Sequence, residues 1–358
     1  SNAPLIDCFA RKNIGMIGSH GVCKGLLIVD RTMLDAAIAD ESYKLIKDGV
    51  TYTFGDSANN IFTGQVTTMI GLFEGTNFND DIGYWDTRNV TSMRYMFKSN
   101  KVFNQNVGGW NTAKVTNLAY IFAETDAFNQ KIGDWDTAQV VDMSDMFYNA
   151  IGFNQDISRW DTRKVRNMSL MFYNATMFNQ NIGSWNVSNV TVMEQMFRGN
   201  KLFNQDIGGW NVSNVTTMYQ MFNGAYAFNQ DISGWDVSGV IRFEQMFQGA
   251  LDMSQNISVW DVCGNNAPSA YTNIFANSSM IDVRNDLGYK PDDDASGTPV
   301  GLWFNQGLTI SYTFTQRGIT SPYDPSAGTL LYAVDLYSND ASRNEALGLY
   351  NNINTWKF

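Results

Sequence analysis

The side chains that could do chemistry are few in kind and regular in placement. The chain has one histidine, His20, so imidazole catalysis has a single candidate and no Ser-His-Asp arrangement offers itself. There is no HExxH motif, no P-loop and no GxGxxG followed by a helix. Cys8, Cys23 and Cys263 contain no CxxC pair; Cys8 and Cys23 either close a short N-terminal loop or stay as buried thiols. The sequence therefore predicts no metal site and no cofactor. What remains is a row of carboxylates and carboxamides after successive tryptophans: Asp86, Asn111, Asp136, Asp161, Asn186, Asn211, Asp236 and Asp261. Two of them on one face, for example Asp136 and Asp161, could act as acid and base on a polysaccharide, which keeps a glycosidase as a second alternative. The same row could contact a ligand, or it could satisfy neighbouring backbone groups at turns. Calcium is disfavoured, because one carboxylate per unit brings too few oxygens to one point.

The row is regular because the chain repeats. Trp85, Trp110, Trp135, Trp160, Trp185, Trp210, Trp235 and Trp260 fall every 25 residues without a slip. Phe78, Phe103, Phe128, Phe153, Phe178, Phe203 and Phe228 precede them by seven, with Met253 in the last unit. Val follows five after the first seven tryptophans, from Val90 to Val240, and a Met-Phe pair such as Met196-Phe197 closes most units. A degenerate unit (Val66, Met69, Phe73) precedes the array, and another ends at Ile274-Phe275. A period of 25 is too short for a propeller blade and fits one coil of a leucine-rich-repeat-like solenoid. Gly, Asn and Trp in every unit exclude a coiled coil.

Within a unit, Trp185 and Val187 alternate with Asn186 and Ser188, the period of a strand. Val190, Met193, Met196 and Phe197 follow at steps of three and four, the period of a helical turn. The expected coil is thus one short parallel strand, a short helical arc and an Asn-rich corner at Phe178-Asn179-Gln180. The tryptophans form an inward spine, and the following Asp/Asn row lies on the exposed sheet face. Arg88 and Arg163, two positions further on, share that face. Candidate ligand contacts are therefore Asp86, Arg88, Asn111, Asp136, Asp161, Arg163, Asn186, Asn211 and Asp236. The corner asparagines (Asn79 to Asn229) read as a structural ladder, and the sequons at Asn89, Asn189 and Asn214 are explained by the repeat itself.

The segments FNQDISGWDVSGV (Phe228 to Val240) and FNQDIGGWNVSNVTTMYQMF (Phe203 to Phe222) resemble the repeats of BspA-like leucine-rich-repeat surface proteins. Gly49 to Asp56 is similar to the lead-in that precedes such arrays. The resemblance covers roughly residues 61 to 275. It implies a non-enzymatic binding or adhesion protein on a cell or virion surface, with a host or neighbouring-cell protein or glycan as partner. The first alternative is a spacer, stalk or tail-fibre-like virion component whose C-terminal module does the binding.

Three regions follow from this reading. Residues 1–60 form an α+β cap, of which 1–3 read as a vector scar. Leu26 to Val29 is expected as a strand, Thr32 to Ala39 as a helix capped by Asp30 or Thr32, and Tyr43 to Phe54 as a hairpin around Lys47-Asp48-Gly49. Residues 61–275 are the solenoid of about eight full repeats plus degenerate ends. Residues 276–358 are a β-rich cap or attachment module, with strands at Leu308 to Phe314 and Leu330 to Tyr337 beyond a polar stretch at Lys290 to Gly297. A net charge of -11 disfavours nucleic acid and anionic membrane surfaces, and no apolar run is long enough to span a bilayer. Oligomeric state is left open.

Overall fold

The computed structural model describes residues 5–55, 59–257, 259–260, 262, 274–275 and 278. Cys263 and the strands expected near 308–314 and 330–337 lie outside the described residues.

The N-terminal segment is a small α+β unit. Strand β1 (Leu27–Ile28) pairs in parallel with β4 (Ile61–Phe62), while β2 (Lys44–Lys47) and β3 (Val50–Thr53) form an antiparallel hairpin. Helix α1 (Arg31–Ala39) starts at Asp30, whose side chain accepts the Met33 N–H at 3.0 Å. Of the two cysteine states left open by the sequence, the structure has the disulfide: Cys8 and Cys23 are joined, both buried against Ile28 and Phe62. Closing a loop of 15 residues removes unfolded-chain entropy equivalent to about 3 kcal/mol.

This unit plugs the end of the array. Its Leu27, Val29, Leu34, Tyr52 and Phe54 belong to the same apolar cluster as the repeats. Phe54 also substitutes for a missing preceding coil. Its carbonyl accepts the Trp85 indole N–H at 3.2 Å and the Tyr84 hydroxyl at 2.6 Å, and its ring meets Trp85 edge-on.

Counting from each corner phenylalanine, coils 1 to 7 cover 78–102, 103–127, 128–152, 153–177, 178–202, 203–227 and 228–252. Each coil has two kinds of side. Along one side run the buried tryptophans, each 4 % exposed or less. Their planes are nearly parallel, within 3–8° and 6.2–6.5 Å apart, in the pairs Trp110–Trp135, Trp135–Trp160, Trp160–Trp185, Trp210–Trp235 and Trp235–Trp260. Each indole N–H reaches back to the coil before and donates to the carbonyl of its Ile or Val at 3.0–3.1 Å, from Trp110 on Ile82 to Trp260 on Ile232. Next to them the Met-Phe phenylalanine packs flat on the following corner phenylalanine, as Phe147 on Phe153 at 3.9 Å.

The other side carries the backbone bonds between coils, and here the local structure departs from the expected strand and helical arc. The Trp185 to Ser188 stretch alternates in burial as a strand would, but it is not a strand. It turns, with the Val190 N–H on the Val187 carbonyl. Parallel bridges instead join Thr68, Ser92, Asn117, Asp142, Asn167, Val192, Thr217 and Arg242, one residue per coil. The stretch from Met193 to Asn200 is not helical either. It is a run of i→i+3 turns: Met196 N–H to Met193 carbonyl, Arg198 to Gln195, Asn200 to Phe197.

The reason is directional. A helix would aim its N–H groups around the coil and leave none for the neighbours. Here a residue with positive φ sits in every coil at Tyr95, Tyr120, Asp145, Leu170, Gln195, Gln220 and Gln245, with φ between 53° and 61°. This rotates the central peptide of the turn parallel to the stack. Its N–H then donates to the next coil and its carbonyl accepts from the previous one. Tyr95 N–H meets the Ala119 carbonyl at 3.0 Å, and the Arg94 carbonyl takes the Gly71 N–H at 2.9 Å. Met93, Tyr95, Phe97 and Ser99 all donate forward in this way. The left-handed conformation costs roughly 1–2 kcal/mol per non-glycine residue, and the inter-coil bonds offset it.

A candidate binding face on the turn ladder

The residues singled out after tryptophan sit at turns. The Oδ1 atoms of Asp86, Asn111, Asp136, Asp161, Asn186, Asn211 and Asp236 each accept the backbone N–H two residues on, at 3.0–3.2 Å. Ser188, Ser213 and Ser238 donate their hydroxyls to the same oxygens. Arg88 and Arg163 fold back on Asp86 and Asp161, with N–O distances of 2.9 and 2.6 Å. The hydrogen bond from Arg163 holds the Asp161 carboxyl below its ordinary range. The row is therefore engaged in shaping its own turns, as the backbone reading of these Asp and Asn residues expects, while Asn111, Asp136, Asn186, Asn211 and Asp236 stay exposed. At the start of the array it meets other elements. There Asp86, Arg88 and Asn111 line a groove of about 310 Å³ beside Val22, Phe62 and Trp85. Arg88 also stands over the Phe9 ring at 5.3 Å.

The corner asparagines behave as a ladder. Asn104 N–H donates to Asn79 Oδ1 at 2.9 Å, and the step repeats through Asn129, Asn154, Asn179, Asn204, Asn229 and Ser254. The following Gln adds its Nε2 to the same oxygen, as Gln205 on Asn179 at 2.9 Å. The sequon asparagines are likewise occupied: Asn89, Asn189 and Asn214 donate Nδ2 to Gly64, Arg163 and Ser188 carbonyls. His20 is exposed, with Nδ1 3.3 Å from the Ser19 hydroxyl. Among the described residues, no group of three His, Cys, Asp or Glu side chains is placed to hold a metal ion.

A different row gathers the groups suited to recognition. The two positions between the methionines of most units vary more than their neighbours: Arg94-Tyr95, Ala119-Tyr120, Ser144-Asp145, Ser169-Leu170, Glu194-Gln195, Tyr219-Gln220, Glu244-Gln245. These are the residues of the turn whose central peptide bonds the neighbouring coils, so rigid backbone presents variable side chains. Tyr95 and Tyr120 rings lie 4.8 Å apart, and Tyr148 and Tyr173, three positions along the same turns, lie 4.7 Å apart. Cations cover the ring faces: Arg94 over Tyr95 at 4.4 Å, Lys98 over Tyr95 at 5.3 Å, Arg198 over Tyr173 at 5.4 Å, and Arg242 over Tyr219 at 4.5 Å.

Asp145, 6 % exposed, lies among them. Burial pushes its carboxyl up to about 6, against a hydrogen bond from Tyr120 that pulls it down. Burial, together with that carboxylate, pushes the Tyr120 phenol up to about 12. Over coils 5 to 7 the row changes to carboxamides, with Arg198 Nη1 donating to Gln220 Oε1 at 2.6 Å and Gln220 bonded to Gln245. Glu194 accepts from Arg242 at 3.0 Å. Sequence reasoning passed over this row because the methionines beside it read as a helical stripe. The signal was the variation between two fixed methionines.

No helix among the described residues is long and apolar enough to cross a membrane. Comparison with curated proteins gives no match, and comparison with solved structures gives none either. One family profile matches three overlapping segments, residues 47–150, 106–198 and 180–285, about two-thirds of the chain together. Those segments run from the β2–β3 hairpin to the trailing Ile274-Phe275 unit, and so the chain belongs to the repeat family described as Mycoplasma protein of unknown function, DUF285.

Proposed function

We propose that this chain is a non-enzymatic binding protein of the cell or virion surface, a leucine-rich-repeat-like solenoid whose turn-ladder face recognises a partner protein. The observation that carries the reading is the variable Tyr, Arg, Ser, Glu and Gln row held on a fixed backbone. Tyr and Arg are the residues that concentrate binding energy at protein interfaces. Tyr adds contact area at low entropy cost, and Asn, Ser and Gly add adaptable hydrogen bonds. Ring pairs with cation-covered faces leave little flat aromatic surface for a sugar, so a protein fits the row better than a glycan. Surface display rests on the resemblance of the FNQDI-x-x-W repeats to surface-protein arrays.

The test is an array of cell-surface proteins and glycans probed with the purified chain and with a Tyr120→Ala/Tyr173→Ala variant. The expected result is a protein ligand whose binding falls at least tenfold in the variant. Binding that survives this change, or that is lost when residues 290–358 are deleted while the repeats bind nothing alone, would replace the reading with that of a spacer carrying a C-terminal binding module.

A further inference from the structure

The turn after tryptophan occurs twice as Asp-x-Arg, and the two copies differ. In coil 4 the pair is closed: Arg163 donates Nε to both oxygens of Asp161, at 2.9 and 3.1 Å, and Nη2 to Oδ2 at 2.6 Å. In coil 1 it is half open. Arg88 donates its backbone N–H and its Nε to Asp86 Oδ1, at 3.2 and 2.9 Å, and gives nothing to Oδ2. That oxygen is buried and without a hydrogen-bond partner. The difference comes from the cap. The Arg88 guanidinium lies over the Phe9 ring at 5.3 Å, and Phe9 is held edge-on to Phe62 at 5.5 Å. A buried carboxylate oxygen left unpaired costs more than an ordinary hydrogen bond gains, so it marks a place where a donor belongs.

Asp86 forms part of the wall of the groove of about 310 Å³ between the cap and coils 1 and 2. Asn111 lines the same groove; its Oδ1 holds the Ala113 N–H at 3.2 Å, which leaves Nδ2 to donate. Val22 and Tyr84, 57 % and 39 % exposed, supply apolar surface. The polar groups are thus an acceptor-only oxygen beside the donor-only nitrogens of Arg88 and Asn111. They suit a ligand whose neighbouring groups each donate and accept. Charge argues for a neutral one, because Asp86 and Arg88 already neutralise each other through Oδ1 and Nε. Vicinal hydroxyls on a ring with an apolar C–H face meet these demands together. We propose that the groove binds a sugar: one hydroxyl donates to Asp86 Oδ2, its neighbour accepts from Arg88 Nη or Asn111 Nδ2, and the C–H face rests on Tyr84 and Val22.

Arg88 is the wall that yields. Its side chain is 46 % exposed and held on the carboxylate by Nε alone, so a small outward turn opens Oδ2 to an entering hydroxyl. The groove is at the lower end of the size range for small-molecule sites and takes about one or two sugar units. A small neutral ligand of this kind binds weakly, with a dissociation constant of about 1–10 mM. Weak single sites gain strength when many copies sit on one surface. The site uses no residue of the turn ladder, so it stands or falls apart from the protein ligand proposed for that face.

Saturation-transfer difference NMR of the full chain with the methyl glycosides of glucose, galactose, mannose, fucose and N-acetylglucosamine tests it. The expected result is saturable binding of at least one glycoside, weakened about 10–100-fold by Asp86→Asn. That substitution keeps Oδ1 for the turn, as Asn111, Asn186 and Asn211 do in their own coils, and removes only the acceptor at Oδ2. Phe9→Ala frees Arg88 to close on Asp86 as Arg163 closes on Asp161, and should weaken binding as well. Asp161→Asn, the same change in the closed pair, should leave binding as it was. Thermal midpoints by circular dichroism check that the variants fold. A chain that binds none of the glycosides at ~100 mM overturns the proposal. So does binding indifferent to Asp86→Asn or to Phe9→Ala, or binding lost equally with Asp161→Asn.

Discussion

Replacing Trp185 with alanine tests whether the indole column holds the array together. The side chain is 3 % exposed, 6.2 Å from the Trp160 ring at 8°, and 6.3 Å from Phe172 at 27°. Its burial removes about 150–250 Å² from water, which at ~25 cal/mol/Å² is a gross ~4–6 kcal/mol. Partial collapse of the site reduces the cost, and aromatic-to-alanine changes in cores run at about 3–5 kcal/mol. A second contribution is separable. Trp185 Nε1 donates to the Ile157 carbonyl at 3.1 Å, and removing the donor leaves that buried acceptor unpaired at about 1–3 kcal/mol. Trp185→Phe loses the donor but keeps a ring, so it should cost about half as much as Trp185→Ala. Because each coil contacts only its neighbours, a weakened boundary between coils 4 and 5 should also split urea unfolding into two steps. Far-ultraviolet circular dichroism is the right probe, since the remaining tryptophans confuse fluorescence. A Trp185→Ala midpoint shifted by less than ~1 kcal/mol, or a Phe variant as damaged as the Ala variant, would refute the reasoning.

Asp145→Asn should raise stability near neutral pH and flatten its pH dependence. The folded carboxyl sits at about 6 against 3.8 in its ordinary state, so the folded chain holds the proton longer than the unfolded one. The associated stabilisation is complete below pH ~4 and lost as pH rises through ~6, a difference of order 2–3 kcal/mol. Urea midpoints from pH 4 to 8 will show whether the wild type loses stability across that window and the Asn variant does not. Asn179→Ala removes the acceptor of both the Asn204 N–H (3.0 Å) and Gln205 Nε2 (2.9 Å) and should cost about 1–2 kcal/mol by the same titration. Leu170→Asn puts a residue that tolerates the left-handed region where Leu now sits at φ 53°, and should gain about 0.5–1 kcal/mol in thermal or chemical midpoint.

What the sequence made legible was the part of the coil fixed by apolar spacing. Trp, Val, Met and Phe recur every 25 residues because each needs its counterpart one coil away, and their burial follows directly. The Asn corner was legible for a related reason: a short side chain with both donor and acceptor, repeated in register, stands in for sheet bonds where none exist. The cap was legible through local signals such as the Asp30 N-cap and the Lys47-Asp48-Gly49 turn. What escaped was the path of the backbone between Val190 and Asn200. Steps of three and four are shared by a helix and by successive i→i+3 turns, and periodicity alone cannot separate them. The separating fact is where the N–H groups point. In a stack with one bridge residue per coil, the backbone must bond along the axis, and only turns with a left-handed residue allow that. That requirement also decides where variation is allowed. The left-handed position is held by Tyr, Asp, Leu and Gln alike, half-buried or, at Asp145 and Gln220, buried among polar partners, whereas the apolar residues on either side stay in the core. The face able to diversify is thus the one whose backbone is most constrained, and the row after tryptophan, whose Asp and Asn are tied to their own turns, is not free to follow.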